Sequence, residues 1–102
     1  MISATVSLET AETRYNLLTL VRAIHTDLPD GFKHVVIQSD PENAAAVVWI
    51  GDSGVTSTER IGFQLGAGEG HVWSPSDKPT GLKNIFAVSD TNAAVLNIAL
   101  TR

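Results

Sequence analysis

The segment Val47–Gly70 restricts the fold more than any other part of the chain, because it holds two short apolar runs that are each closed by glycines. The first run, Val47–Ile50, stops at the turn-forming residues Gly51–Gly54. The second run, Ile61–Leu65, stops at the glycine-rich segment Gly66–Gly70. Runs of about five residues bounded by glycine are typical of strands joined by turns. The segment therefore predicts β-structure.

Similar short runs occur along the whole chain, and alternating apolar and polar residues mark the first and the last of them. The predicted strands are residues 2–8, 32–39, 44–50, 61–65, 71–74, 85–89 and 94–101. About seven short strands with turn signals every 8–12 residues are typical of a sandwich or barrel. We therefore expect a mainly β fold, an antiparallel β-sandwich that is jelly-roll-like, with one short helix near the N-terminus.

The helix is predicted from about Leu17 to Thr26. Asn16 is a suitable N-cap, because its side chain can accept a hydrogen bond from a free main-chain N–H of the first turn. Leu17, Val21, Ile24 and Leu28 lie at helical spacing and would form one apolar stripe. Pro29 disfavours helical geometry at the residue before it and marks the end.

Length and charge narrow the classes of protein that fit. A chain of 102 residues is expected to form one domain, residues 1–102, in which residues 1–14 could be an extended N-terminal arm. The net charge is −4, and residues 1–52 hold seven acids and three bases. Nucleic acid is therefore not an expected partner, because phosphate binding needs clustered Lys and Arg. No apolar run approaches the ~20 residues that span a bilayer, so no membrane association is expected.

Two glycine motifs resemble catalytic or nucleotide-binding signatures. Gly51–Gly54 spells the sequence around a chymotrypsin-like nucleophile, but the chain is too short for the two barrels of that fold, and a triad is recognised by geometry. Gly66–Gly70 has the spacing G-x-G-x-G and is followed by a predicted strand, whereas a dinucleotide fingerprint needs a following helix. We interpret both motifs as structural turns, the second as a hairpin.

The remaining candidate ligands do not form a motif. His25, His34 and His71 show none of the spacings expected of a metal site, so we predict no metal, no cofactor and no catalytic residue. Trp49, Trp73, Phe63 and Phe86 are expected in the core or in a subunit interface. The alternative is a carbohydrate-binding module in which Trp49 or Trp73 forms a stacking platform. A cupin-type enzyme is a third alternative.

Three segments together resemble small virion proteins of tailed bacteriophages. They are Val48–Thr56, with its Gly-Asp-Ser-x-Val turn, Gly62–Glu69, and Ile85–Asp90. The resemblance extends over about residues 15–100, including the helix start at Tyr15 and the strand Val36–Gln38. Glu59 and Arg60 depart from it, because a more neutral loop would be expected at that place.

The resemblance implies a non-enzymatic virion protein, above all a capsid decoration or cement protein on the outer shell of the head. It implies the major capsid protein as partner, assembly as a homo-oligomer such as a trimer, synthesis in the host cytoplasm and a final location on the capsid surface. A tail or head–tail connector component is the alternative within virion biology.

The residues expected to contact a partner lie in the first strand and in one loop. The strand residues are Ile2, Ala4, Val6 and Leu8, and the loop residues are Glu59 and Arg60. The first strand carries no Lys or Pro, which commonly protect an edge strand from pairing with other chains. We therefore expect this strand to add to a sheet edge of a partner.

Overall fold

The computed structural model describes residues 2–27, 31–43, 46–52, 54–56, 62–73 and 80–101, and for residues 31, 73 and 80–82 it describes the main chain alone. Each of the seven predicted strands has a counterpart in it; the first and the last have the predicted bounds, and the others are shorter or shifted. The strands are β1 (Ile2–Leu8), β2 (Tyr15–Asn16), β3 (Gly31–Phe32), β4 (His34–Ser39), β5 (Val48–Gly51), β6 (Phe63–Leu65), β7 (Gly70–Trp73), β8 (Thr80–Gly81), β9 (Phe86–Ser89) and β10 (Ala94–Thr101). One helix, α1 (Leu17–Arg22), follows β2.

Eight of these strands form two four-stranded antiparallel sheets. The first sheet has the order β1-β10-β4-β7 and the second has the order β2-β9-β5-β6, while β3 and β8 form a separate pair. Within the first sheet, β10 lies between β1 and β4 and pairs with both over most of its length. The expected antiparallel sandwich is confirmed, and its jelly-roll connectivity stays a prediction.

The core lies between the two sheets and follows directly from the alternating sequence. In β10 the apolar residues at even positions are buried, and the neighbouring odd positions are half-buried. Residues of both sheets belong to one buried cluster, for example Leu8, Ile37 and Leu100 from the first sheet with Val48 and Ile50 from the second. Full burial of such a side chain contributes roughly 1.5–3 kcal/mol, so this cluster supplies most of the driving force for folding.

The helix begins where predicted and ends earlier. The Oδ1 atom of Asn16 accepts a hydrogen bond from Thr19 N at 3.2 Å, which confirms Asn16 as the N-cap. Leu17 and Val21 are buried against the core, but the α-helix stops at Arg22. Ile24 is consequently 52 % exposed, so its predicted place on the apolar stripe is wrong. Leu28 lies outside the described residues.

The first strand is built into the sheet. Each residue of Ile2–Leu8 is paired with a residue of β10, from Ile2 opposite Leu100 to Leu8 opposite Ala94. The suggestion of an extended arm therefore does not hold for this part of residues 1–14. The reason is the apolar side of the strand, because Ala4, Val6 and Leu8 complete the core.

The glycine-rich segment before β7 is a corner between the two sheets. It was expected to be a hairpin, but its flanking strands β6 and β7 belong to different sheets. Gly66 N donates to the Glu69 carboxylate at 2.6 Å, and Gly68, with φ of 81°, donates its N–H to Ser39 O at 2.9 Å. Ser39 N in turn donates to Glu69 O at 2.8 Å. The corner is thereby fixed to the end of β4.

Asp40–Asn43 forms a turn between β4 and β5, with a 3-10 helix over Pro41–Asn43. Asn43 links this turn to β10: its Nδ2 atom donates to Ser39 Oγ at 2.7 Å and to Val95 O at 2.8 Å. Its Oδ1 atom accepts from Val95 N at 2.9 Å. One side chain therefore satisfies both main-chain groups of Val95, beside the end of the β4–β10 ladder.

Candidate binding surface

Four strands form the outward side of the first sheet. It is made of the residues that alternate with the core positions of its four strands. We call its central part the uncharged face; the members are Ser3, Thr5, Ser7, Val36, Gln38, Gly70, Val72, Val95, Asn97 and Ala99, while His34 and Thr101, which lie opposite each other at the ends of β4 and β10, are at its margin. It contains a shallow open depression of about 600 Å³.

None of these ten residues is Lys, Arg, Asp or Glu, although the chain as a whole carries 18 such residues. Val72 is 51 % exposed, and Val36, Val95 and Ala99 are half-buried, so part of the face is apolar. The outward side of a solvated sheet is normally polar, in contrast to its core side. Depletion of charge is the compositional signal of the central part of protein interfaces. This face therefore has the composition of a surface that another macromolecule covers.

A row of hydrogen bonds crosses the uncharged face from strand to strand. Thr5 Oγ1 donates to Asn97 Oδ1 at 3.1 Å, and Asn97 Nδ2 lies 3.5 Å from Gln38 Oε1. Gln38 Nε2 donates to Gly68 O at 3.3 Å. The polar side chains at the centre of the face are thus partnered within the chain. The main cost of burying polar side chains is that their hydrogen-bonding groups lose water and stay unsatisfied. Because these side chains already bond to one another, a macromolecule that covered them would leave few such groups unsatisfied.

The row ends at the carboxylate of Asp40. Asp40 Oδ1 accepts from Glu42 N at 2.8 Å, and Oδ2 accepts from Asn97 Nδ2 at 3.0 Å. These two bonds, the one from the Glu42 main chain first, hold the pKa of the Asp40 carboxyl below its ordinary value of 3.8. Negative charge is therefore placed at one margin of the face and not within it.

The first strand lies at the edge of the sheet beside this face. The predicted partner-binding side chains of Ala4, Val6 and Leu8 point into the core, and Ile2 is half-buried. Those four side chains therefore support the sandwich from inside, and only the main chain and the alternating Ser and Thr side chains face outward. Glu59 and Arg60 lie outside the described residues.

The aromatic side chains are placed differently from one another. Trp49 is only 5 % exposed and packs with Val55 and Val88 on the outward side of the second sheet. Trp49 therefore lies in a small second core that Val55 covers, as expected of a core residue, and its ring is too buried to form a stacking platform for a sugar. Phe63 was expected in the core or in a subunit interface; it is 54 % exposed and stacks on His71, so it does not lie in the core. The side chain of Trp73 lies outside the described part of the molecule.

The Gly-Asp-Ser-Gly motif folds as a turn in its described residues. Asp52 Oδ1 accepts from Gly54 N at 2.8 Å, and Asp52 O accepts from Val55 N at 3.1 Å. This turn returns Val55 to the outward side of the second sheet, where it is buried against Trp49. The arrangement agrees with the structural interpretation of the motif, in which Asp bonds to nearby main chain.

The described residues contain no group of three His, Cys, Asp or Glu side chains placed to hold a metal ion. Among the helical residues that the structure describes, none form a helix long and apolar enough to cross a membrane. No family model, curated protein or solved structure matches the chain.

Sequence reasoning did not find the uncharged face. The signal was present in the alternation, because Ser3, Thr5 and Ser7 fall between core residues just as Val95, Asn97 and Ala99 do. That these two sets of residues lie side by side could not be derived from the sequence. It depends on the strand order, in which β10 lies between β1 and β4.

Proposed function

We propose that this chain is a non-enzymatic structural protein of a tailed-bacteriophage virion, a capsid decoration protein that binds the outer shell through the uncharged face. The major capsid protein is its partner, and the capsid surface is its final location. The proposal combines the resemblance of Val48–Asp90 to phage virion proteins with one structural observation. That observation is a sheet face spanning four strands whose central positions hold no Lys, Arg, Asp or Glu.

The composition of the face supports protein binding over catalysis. A binding face needs apolar area and satisfied polar groups, and it does not need titratable side chains. Val72, Val36 and Ala99 supply apolar area along one row, and Thr5, Asn97 and Gln38 supply a hydrogen-bonded polar row next to it. Charges that surround such a face act mainly on the rate of association and on its salt dependence.

A repeating shell would compensate for the modest size of the face. Interfaces of standard size bury about 800 Å² on each partner, and a single small sheet face approaches this area only if its margins take part. Several weak contacts become strong together when they are linked, because the second contact forms at a high effective concentration. A homo-oligomer on a shell of repeating subunits meets this condition.

The test is binding of the purified protein to shells of the encoding phage that lack it. Binding is expected to saturate at a fixed number of copies per shell. Val72→Glu places a charge in the apolar row and should weaken binding strongly. Ile24→Glu is the matched control, because Ile24 is equally exposed, at 52 % against 51 %, but lies outside the uncharged face. Both variants should keep the circular dichroism spectrum of the parent.

Truncation of residues 1–8 is not a suitable test, since it would remove a core strand together with any contact. Equal binding by the two glutamate variants would refute the assignment of the face. Failure to bind shells, together with saturable binding to purified tails or connectors, would favour the alternative virion role.

A further inference from the structure

No strand of the described residues pairs with the outer edge of β1, beside which α1 packs. Two independent contacts show which main-chain groups of β1 point outward. Val95 O accepts from Asp40 N, so the odd-numbered residues of β10 direct their main-chain groups towards β4. The even-numbered residues of β10 then face β1, together with their partners Ile2, Ala4, Val6 and Leu8. Ser3, Thr5 and Ser7 must consequently direct their N–H and C=O groups away from the sheet.

The contact of His25 confirms this direction and closes one end of the edge. His25 Nε2 lies 3.0 Å from Ser3 O, and because a carbonyl only accepts, the ring nitrogen is the donor. The turn after α1 is thereby held against the start of β1. Among the described groups, none bonds to the outward main-chain atoms of Thr5 or Ser7. The open part of the edge therefore begins after Ser3.

The other end of the open edge is set by the chain itself. Glu9 O accepts from Ala93 N at 3.2 Å, and Ala93 has a φ of 58°, so the chain leaves the strand after Leu8. The edge available to a partner thus extends from Ala4 to Leu8. It carries no charged side chain, no proline and no bulge, which are the devices that usually prevent edge-to-edge pairing.

We infer that two copies of this chain associate through this edge, with antiparallel β1 strands related by a two-fold axis at Val6. In this register Thr5 of one copy is opposite Ser7 of the other, and Ala4 is opposite Leu8. Each Thr5–Ser7 pair exchanges two main-chain hydrogen bonds, and the small hydroxyl side chains of the pair meet on the same side of the sheet. The partner strand ends opposite Ala4, just before His25.

A second copy fits this edge better than an unrelated strand. The edge is self-complementary, since an isologous contact places the same segment on both sides and brings no like charges together within Ala4–Leu8. His25 excludes the competing register centred on Thr5, because that register would need the Ser3 carbonyl that His25 occupies. Pairing at Val6 would also join the two uncharged faces into one continuous surface. The inference concerns the protein alone in solution and does not depend on shell binding.

Cysteine cross-linking tests the register, because the natural chain has no cysteine. Directly opposed residues of a hydrogen-bonded pair have Cα atoms about 5.5 Å apart, within the range of a disulfide. Diagonal neighbours are about 7–8 Å apart and lie outside that range. Under mild oxidation, a mixture of Thr5→Cys and Ser7→Cys proteins should form cross-linked dimers. Neither variant alone should do so.

Sedimentation equilibrium tests the edge itself. The parent protein should show a monomer–dimer equilibrium. Ser7→Pro removes an outward N–H without touching the ladder to β10, and the dimer loses two hydrogen bonds by symmetry. Its dissociation constant should rise about tenfold or more. Ser7→Lys, which adds a charge and keeps the N–H, should also weaken the dimer.

The outcomes that overturn the inference are distinct. Cross-linking of Thr5→Cys alone would place the two-fold axis at Thr5 and refute the role of His25. A parent protein that stays monomeric at high micromolar concentration, or that forms a trimer unaffected by both Ser7 variants, would refute pairing through β1.

Discussion

Phe63 and His71 stack on each other across one side of the sandwich, with ring centroids 4.3 Å apart and an angle of 23° between the ring planes. The two residues lie on edge strands of different sheets. Phe63 is opposite the core residue Ile50, and His71 is opposite the core residue Ile37, so both belong to the inward rows of their sheets. The stacked pair therefore covers the core where β6 and β7 leave it open.

Removal of this pair should destabilise the protein. Phe63→Ala loses the stacking with His71 and uncovers the adjacent core, and aromatic pairs contribute about 0.5–1.5 kcal/mol beyond the area they bury. We expect the free energy of unfolding to fall by at least about 1 kcal/mol, measured by urea denaturation. Gln64→Ala is the control, since Gln64 is the next residue of the same strand and is exposed. Equal effects of the two substitutions would contradict a covering role.

The position of Phe63 shows which part of the fold the sequence could not predict. Period-2 patterning located β1 and β10 correctly, because alternation depends on neighbours within one strand. Whether the end of an inward row is buried depends on the number of strands in the sheet and on what covers its edge. Phe63 stands at an edge, so it is exposed although it lies on the core side of its strand.

Gly62 is the glycine that the turn between β5 and β6 requires. Its φ is 126°, and an added Cβ would lie 2.6 Å from Val55 Cγ2 and 2.9 Å from Ile50 O. Gly51 is less restricted, since an added Cβ would lie 3.4 Å from Val55 Cβ. The positive-φ glycines of the described residues are Gly62 and Gly68.

Gly62→Ala should therefore be much more damaging than Gly51→Ala. Strained backbone of this kind costs on the order of 1–3 kcal/mol, and the clash with the Ile50 carbonyl adds to it. We expect a clear loss in the midpoint of thermal unfolding for Gly62→Ala and a small change for Gly51→Ala. A reversed order would show that the turn has another conformation in solution.

The polar connection at Asn43 should be equally specific. Asn43→Ala removes the partner of Val95 N and one partner each of Val95 O and Ser39 Oγ, and Ser39 is fully buried. Leaving a buried polar group unsatisfied costs roughly 1–3 kcal/mol, so unfolding should shift to lower urea concentration. Asn84→Ala, at an exposed residue, is the control. Hydrogen exchange at the Val95 amide should also accelerate in the Asn43 variant.

The start of the helix could be predicted from nearby residues, but its end could not. The N-cap at Asn16 depends on a contact three residues away and was predicted correctly. The helix end depends on tertiary contacts: His25 bonds to Ser3 in a distant part of the sequence and holds residues 23–27 as a turn. A helical period continuing through Ile24 could not reveal that contact. The same limit applies to the uncharged face and to the open edge of β1, which both arise from strand order.

Asp40 should make the stability of the protein depend on acid pH. Hydrogen bonds from Glu42 N and from Asn97 Nδ2 hold the pKa of its carboxyl below the ordinary value of 3.8 in the folded state. A carboxyl with a lowered folded pKa binds protons more weakly in the folded than in the unfolded chain. Its contribution to stability is therefore fully present above the ordinary value and is lost as pH falls through the folded pKa.

Urea denaturation of the parent between pH 5 and pH 2 should show this loss of stability. Asp40→Asn keeps the shape of the side chain and removes the titrating proton, so the stability of this variant should depend less on pH over the same interval. A two-dimensional NMR titration provides the direct measurement: the Asp40 carboxyl should have its midpoint below 3.8, and the side-chain amide of Asn97 should titrate with it. A midpoint at or above the ordinary value would mean that the polar row of the uncharged face is not anchored at Asp40 in solution.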